Sequence, residues 1–238
     1  MASERKFIRE NMKRVMIKEF LMRRAQDAGF GGVTIQRTPL GTRVTLMVER
    51  PGMVIGRHGG LIKQLTEILE RDFGLDNPQV EVQEARAPNI NAQIMAQKLA
   101  FALERGWHFR RGGHSTVRRI MEAGAKGCQV TLAGKLTGDR HRTEKFKQGH
   151  IKFCGEPALQ WMRHGYAVAK KKSGVIGVTV RVMDPKAVLP DEVAIRPSED
   201  VADLVPPVPA QTPAEEAPAG EPATGAPSDE KAEEDAAV

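Results

Sequence analysis

Four consecutive residues, Gly56-Arg57-His58-Gly59, combine the two properties that contact with a phosphodiester demands. The glycines carry no Cβ, so a sugar-phosphate backbone can come close to the chain. The guanidinium and imidazole between them supply hydrogen-bond donors. Val54-Ile55 precede the loop and Leu61-Ile62 follow it, which sets it where a helix begins. The free N–H groups and partial positive charge of a helix N-terminus favour anions, and Lys63 adds a cation on the first turn. A bare G-x-x-G reads better as an ordinary glycine turn joining a strand to a helix. Here the apolar flanks, with strands expected on both sides, favour the anion-binding reading.

A second group of candidates lies further along. From Arg105 to Lys152 the chain holds twelve Lys or Arg against three acidic residues, a net of +9 in 48 residues. Arg110, Arg111, Arg118 and Arg119 can present guanidinium forks, whose planar geometry suits phosphates. His114, Lys135, Arg140, Arg142 and Lys145 extend the same cationic segment. Like charges this dense repel one another, and a polyanion would relieve them better than solvent.

Enzyme-like patterns fail on inspection. Gly134-Lys135 would need Gly at 129 and Ser or Thr at 136 to make a phosphate loop, and Gln129 and Leu136 stand there. His141, Glu144 and His150 follow no established metal-ligand spacing. Cys128 and Cys154, the chain's two cysteines, make neither a C-x-x-C pair nor a disulfide framework, and read as free thiols. Trp107, Phe109, Trp161 and Tyr166 are candidates for base stacking, with core packing the alternative for most of them. We assign no catalytic residue, metal or cofactor.

Composition points the same way. The chain has 238 residues, 40% apolar but 5% aromatic, with a net charge of +6. That length allows one large domain or two small ones with a tail. From Glu199 to Val238 eleven acidic residues face one basic, Lys231, so the preceding 198 residues carry +16. Pro recurs among Ala and Glu in this tail, which is expected to be disordered because it holds too little apolar surface to offset its ordering entropy. A strongly basic body is the electrostatic footprint of a nucleic-acid binder. No apolar run approaches the ~18 residues of a membrane helix, and no apolar leader follows Met1. No basic amphipathic helix bears Trp and Phe on an apolar face, which disfavours an anionic membrane as partner.

The elements that must position these residues follow from periodicity. Ile8, Met12, Val15, Met16 and Phe20 predict the apolar stripe of a helix over 4–28. Val33–Arg37 and Val44–Val48 alternate as strands around a Pro39-Leu40-Gly41 turn, and Pro51-Gly52 ends the second. Ile62, Leu65, Leu69 and Phe73 line a second helix, and Val80–Gln83 makes a third strand. Beyond Pro88, a helix runs from Ile94 to Leu103. Another is expected at 116–123 with Ser115 as N-cap, followed by a strand at 130–133. Residues 134–160 are ambiguous. Gly165–Lys171 and Ile176–Met183 predict a hairpin turning at Ser173-Gly174.

Val54 to Ile62, in this order of elements, resembles the signature of type II KH domains, whose G-x-x-G loop clamps about four backbone nucleotides of single-stranded RNA or DNA. Phe109-Arg110-Arg111, the run Arg118 to Gly127, Gly134-Lys135-Leu136 and Arg142-Thr143-Glu144 resemble the C-terminal domain of the universal small-subunit ribosomal protein three family, in its archaeal or eukaryotic form. The likeness covers about residues 1–185. It implies an α+β chain: a type II KH domain over 1–86, a basic α/β ribosomal domain over 87–190, and an acidic tail over 191–238. It further implies a structural constituent of the small ribosomal subunit, in the cytoplasm. The expected partners are small-subunit rRNA, neighbouring head proteins and mRNA at its entrance to the subunit. In bacterial relatives two Arg and a Lys at that entrance help unwind messenger structure. Arg110 and Arg111 match the arginines, and His114 stands where the lysine would be. A free KH-type RNA chaperone or regulator is the alternative function, and a lysine-dependent lyase on damaged DNA a more distant one.

Overall fold

The computed structural model of the chain describes residues 2–190, 192 and 193. The tail expected over 191–238 otherwise lies outside the described residues. Two sheets organise the rest. Helix α1 (Ala2–Arg24) leads to β1 (Phe30–Thr38), β2 (Gly41–Val48), a short α2 (Pro51–Ile55), α3 (Gly60–Phe73) and β3 (Gln79–Glu84). The β1–β2 hairpin is antiparallel, whereas β3, returning after the helical crossover, runs parallel to β2. Val44, Leu46 and Val48 alternate inward from β2 and meet Leu65 and Leu69, one turn apart on α3.

After this unit come α4 (Ala92–Glu104), α5 (Phe109–Glu122), β4 (Gly127–Gly134), β5 (Arg142–Gly149), α6 (Glu156–Trp161), β6 (Met162–Lys171) and β7 (Gly174–Met183). The four strands form an antiparallel sheet in the order β5-β4-β7-β6. Val178, Val180 and Val182 point toward α4 and α5, as their alternation predicts, and the sheet's other face is turned away from both helices.

The mixed α/β architecture expected from the sequence is found, with three local corrections. The stripe expected on α1 is exposed: Ile8, Met12, Val15 and Met16 are each more than half accessible, and the buried row is Ile17, Leu21 and Ala25. Only the C-terminal part of the helix lies over the sheet, and of the expected stripe Phe20 alone packs inward, against Phe73 at a centroid distance of 5.6 Å. The second correction is that α5 begins at Phe109, seven residues before the expected start, so Ser115 lies inside the helix and caps nothing. Gly112-Gly113 look like a helix break, but they occupy the buried face. A Cβ at Gly113 would fall 2.5 Å from the Phe146 ring, so the missing side chain admits close packing rather than ending the helix. Third, the ambiguous 134–160 stretch contains β5 and α6.

Helix α4 also ties the two sheets together. The side chain of Gln97, 4% exposed, accepts a hydrogen bond from the Phe30 N–H at 3.0 Å. Asn91 Nδ2 donates to the Gly31 carbonyl, and Lys98 Nζ lies 2.7 Å from Glu49 Oε1. Gln97→Leu keeps the volume but leaves the Phe30 N–H without its acceptor. Removing a buried partner costs about 1–3 kcal/mol. Urea unfolding should therefore show a loss of that order, and a neutral result would mean that water reaches the site.

Candidate nucleic-acid interface

The glycine loop is built from two different backbone requirements. At Gly56 the backbone adopts φ 71°, ψ −177°, a region open essentially to glycine alone. A Cβ there would lie 2.7 Å from Leu61 Cγ. Gly56 is thus needed for the turn itself. Gly59 is left-handed at φ 72°, ψ 17°, and no atom approaches within 4 Å of where its Cβ would be. Its missing side chain leaves open space, as an approaching backbone requires. Between them Arg57 and His58 are exposed, and His58 is itself left-handed at φ 51°. No side chain caps the N-terminus of α3, and Lys63 stands exposed on its first turn. The short helix α2, unforeseen in the sequence, replaces a simple strand end and delivers the chain to Gly56 through the Gly56 N–H to Gly52 carbonyl bond of 3.0 Å.

Helix α5 sorts its residues by side. Phe109, Val117 and Ile120 are buried, and Arg110, Arg111, His114, Arg118 and Arg119 are exposed. With 3.6 residues per turn, Arg110, His114 and Arg118 form one row and Arg111, Ser115 and Arg119 the next. Arg111 lies over the Trp107 ring at 5.3 Å and Arg110 over Phe109 at 5.7 Å, which orients both guanidinium groups. The His114 ring meets Phe146 edge-on at 4.9 Å. Arg118 pairs with Glu122 at 3.0 Å on the surface, a contact of small energy that a phosphate can displace. Arg119 also lines a cleft with Arg50, Arg105 and Trp107, between α4, α5 and the start of α2.

The basic segment that is continuous in sequence is divided in space. Lys135, Arg140 and Arg142 are exposed in and beside the β4–β5 connection, where Lys135 approaches Gly174 of the β6–β7 turn. Lys145 is exposed on β5 with its side chain on the sheet face away from α5, because its neighbour Phe146 points toward that helix. The sequence reading missed Arg50 and Arg105, and it missed Lys147, Lys170 and Arg181, which share the face of Lys145. Strand alternation carried that signal.

Of the two free thiols, Cys154 is exposed and Cys128 is not. Cys128 is buried and donates to the Val117 carbonyl at 3.7 Å, and burial pushes its thiol up to about 11, so it stays protonated and unreactive at neutral pH. Among the described residues, no cluster of three or more His, Cys, Asp or Glu could hold a metal, and no helix is long and apolar enough to cross a membrane.

Two family models match the chain, a KH domain over residues 16–89 and the C-terminal domain of ribosomal protein S3 over 99–182. Similarities over most of the chain agree. The chain is 52% identical to small ribosomal subunit protein uS3 of Methanoculleus marisnigri, over 90% of this chain and 88% of that protein. With the protein of the same name from Archaeoglobus fulgidus it shares 55% identity over 82% of this chain and 85% of the relative. With that of Methanocella arvoryzae the figures are 52%, 85% and 72%.

Proposed function

The chain belongs to the family of small ribosomal subunit protein uS3, and we propose that it binds small-subunit rRNA in the head and lines the entrance for mRNA. It is a structural ribosomal protein, not an enzyme. The observation that carries the finer reading is the double row of arginines on α5, exposed along half the helix circumference with Glu122 as the sole acidic residue of that helix. In this reading residues 1–86 act as a KH domain that holds RNA backbone at Gly56, Arg57, His58, Gly59 and Lys63. Residues 87–190 form the basic ribosomal domain, where Arg110, Arg111, Arg118 and Arg119 face phosphates and the His114 imidazole hydrogen-bonds beside them. Lys135, Arg140 and Arg142 contact RNA beside the β4–β5 connection, and Lys145 contacts it from the sheet face away from α5. Residues 191–238 form an appended acidic segment. The setting is the cytoplasmic ribosome, beside other head proteins.

The chain should co-sediment with small subunits through a high-salt wash. Release of the bulk of it, with sequence-selective binding to single strands by the isolated protein, would instead favour a free RNA chaperone.

The loop offers a cleaner substitution than its symmetry suggests. Gly59→Asp places a side chain in open space at a left-handed position that Asp tolerates. The fold should survive, judged by circular dichroism. Affinity for single-stranded RNA should fall roughly fivefold or more, since like charges 4 Å apart in water repel by about 1 kcal/mol. Unchanged affinity would remove the loop from the RNA surface. Gly56→Asp is the poorer probe, because it disturbs the turn as well.

A further inference from the structure

The sheet of β4–β7 has a second face that the loop and α5 leave unused. Direct cross-strand pairs place Lys145, Thr131, Thr179 and Tyr166 in one row across it. The next row holds Lys147, Gln129, Arg181 and His164. Lys170 lies on the same face near one end of β6. At the other end the face is covered where Met162 and Met183 pack under α6, Ala187 and Leu189. Between these limits it is open, and the strand positions of this face include no Asp or Glu. Tyr166 is 55% exposed, unlike the buried Phe109. Its backbone N–H and carbonyl are both occupied by the Gln93 side chain, which fixes the edge strand that carries the ring. At the margin of the cover, Gln129 is 5% exposed, and its Oε1 is a buried side-chain acceptor without a partner.

We propose that this open face is a further RNA-contacting surface. It takes a single or irregular RNA strand, with phosphates on Lys145, Lys147 and Arg181 and a base on the Tyr166 ring. Adjacent strands lie about 4.8 Å apart, so the row from Lys145 to Tyr166 crosses roughly 14 Å, with a lysine at one side and the ring at the other. That separation matches a ligand carrying charge along one edge and flat apolar faces along the other, which is what a splayed RNA strand presents. Thr131 and Thr179 between them offer hydroxyls to ribose, the Thr131 oxygen already accepting from Gln129 Nε2 at 3.1 Å and keeping its own O–H to donate. An acidic protein segment would answer the cations but leave the ring unused. The inference rests on the RNA-binding reading of the chain, yet on none of the residues of the glycine loop or α5.

Tyr166 is the only tyrosine of the chain, so 3-fluorotyrosine labelling of the full-length protein gives one fluorine resonance from this face. The probe is a short uridine-rich single-stranded RNA, with binding followed in parallel by anisotropy. The resonance should shift and saturate along with the anisotropy. Lys147→Gln with Lys145→Gln should reduce the shift and flatten the slope of log affinity against log salt by about 1.4 units, at roughly 0.7 per lost phosphate contact. Arg110→Ala with Arg111→Ala should leave the saturated shift in place. A rise in anisotropy with an unmoved resonance would overturn the inference and leave this face to an acidic protein neighbour. No rise in anisotropy at all would bring down the RNA-binding reading as well, so the two failures differ.

Discussion

Replacing Arg110, Arg111, Arg118 and Arg119 together by Ala should cost the full-length chain two to three orders of magnitude in affinity for single-stranded RNA near 0.1 M salt. Each neutralised phosphate on a single strand contributes about −0.7 to the slope of log affinity against log salt, so four contacts account for roughly 2.8 units. The helix itself should persist. Its buried face consists of Phe109, Gly112, Gly113, Thr116, Val117 and Ile120, which the substitutions spare, and Ala is a better helix former than Arg. The Arg110 and Arg111 pair alone should flatten the slope by about 1.4 units. In reconstituted small subunits that pair should slow translation of structured messages more than unstructured ones while assembly survives. Failed assembly without any message-dependent effect would assign these arginines to rRNA alone. His114→Lys places an ammonium group between Arg110 and Arg118, and improved reading of structured messages would support the same placement.

The largest stability effect is expected far from any of these side chains. Gly165 of β6 lies against the first turn of α4, where a Cβ would fall 2.1 Å from the Ala92 carbonyl oxygen and 2.2 Å from its carbon. Both partners are backbone, so neither can rotate away. Gly165→Ala must lift α4 off the edge strand, which breaks both Gln93 bonds to Tyr166 and loosens a helix that buries Met95, Ala96 and Leu99. Losses above about 4 kcal/mol are exceptional for single substitutions, and this one should approach that range. Gly138→Ala, with nothing within 4 Å of the new atom, is the control. Urea midpoints for the two variants should differ widely, and similar midpoints would show that α4 can shift without cost.

What the sequence disclosed, and what it hid, follows from the range of the interactions involved. Strand alternation at Val178, Val180 and Val182 survives in the structure because one face of that sheet is buried along its length. The α1 stripe does not. Periodicity identifies an amphipathic helix, but which of two adjacent apolar rows is buried depends on where the helix lies over the sheet, and that is a long-range fact. Ile17 and Leu21 sit one position round from Met16 and Phe20, and the structure buries the former. Gly112-Gly113 differ for a related reason: a glycine pair reads locally as a break, and only the approach of Leu99 from α4 to Gly112 and of Phe146, over thirty residues away, to Gly113 explains it. At the loop, the residue types announced an anion site, while the separate tasks of Gly56 and Gly59 required backbone angles and neighbours. The division of the basic segment into an α5 surface and a sheet surface likewise depended on the placement of β5.

Photocross-linking in assembled small subunits tests the central claim most directly. Messenger RNA carrying 4-thiouridine downstream of the decoding position is bound to subunits containing the chain, irradiated, and the attached peptides are mapped. The account predicts adducts in α5, within Phe109–Glu122, that vanish when Arg110 and Arg111 are replaced by Ala. Subunits that retain the chain but yield adducts on other proteins alone would contradict it.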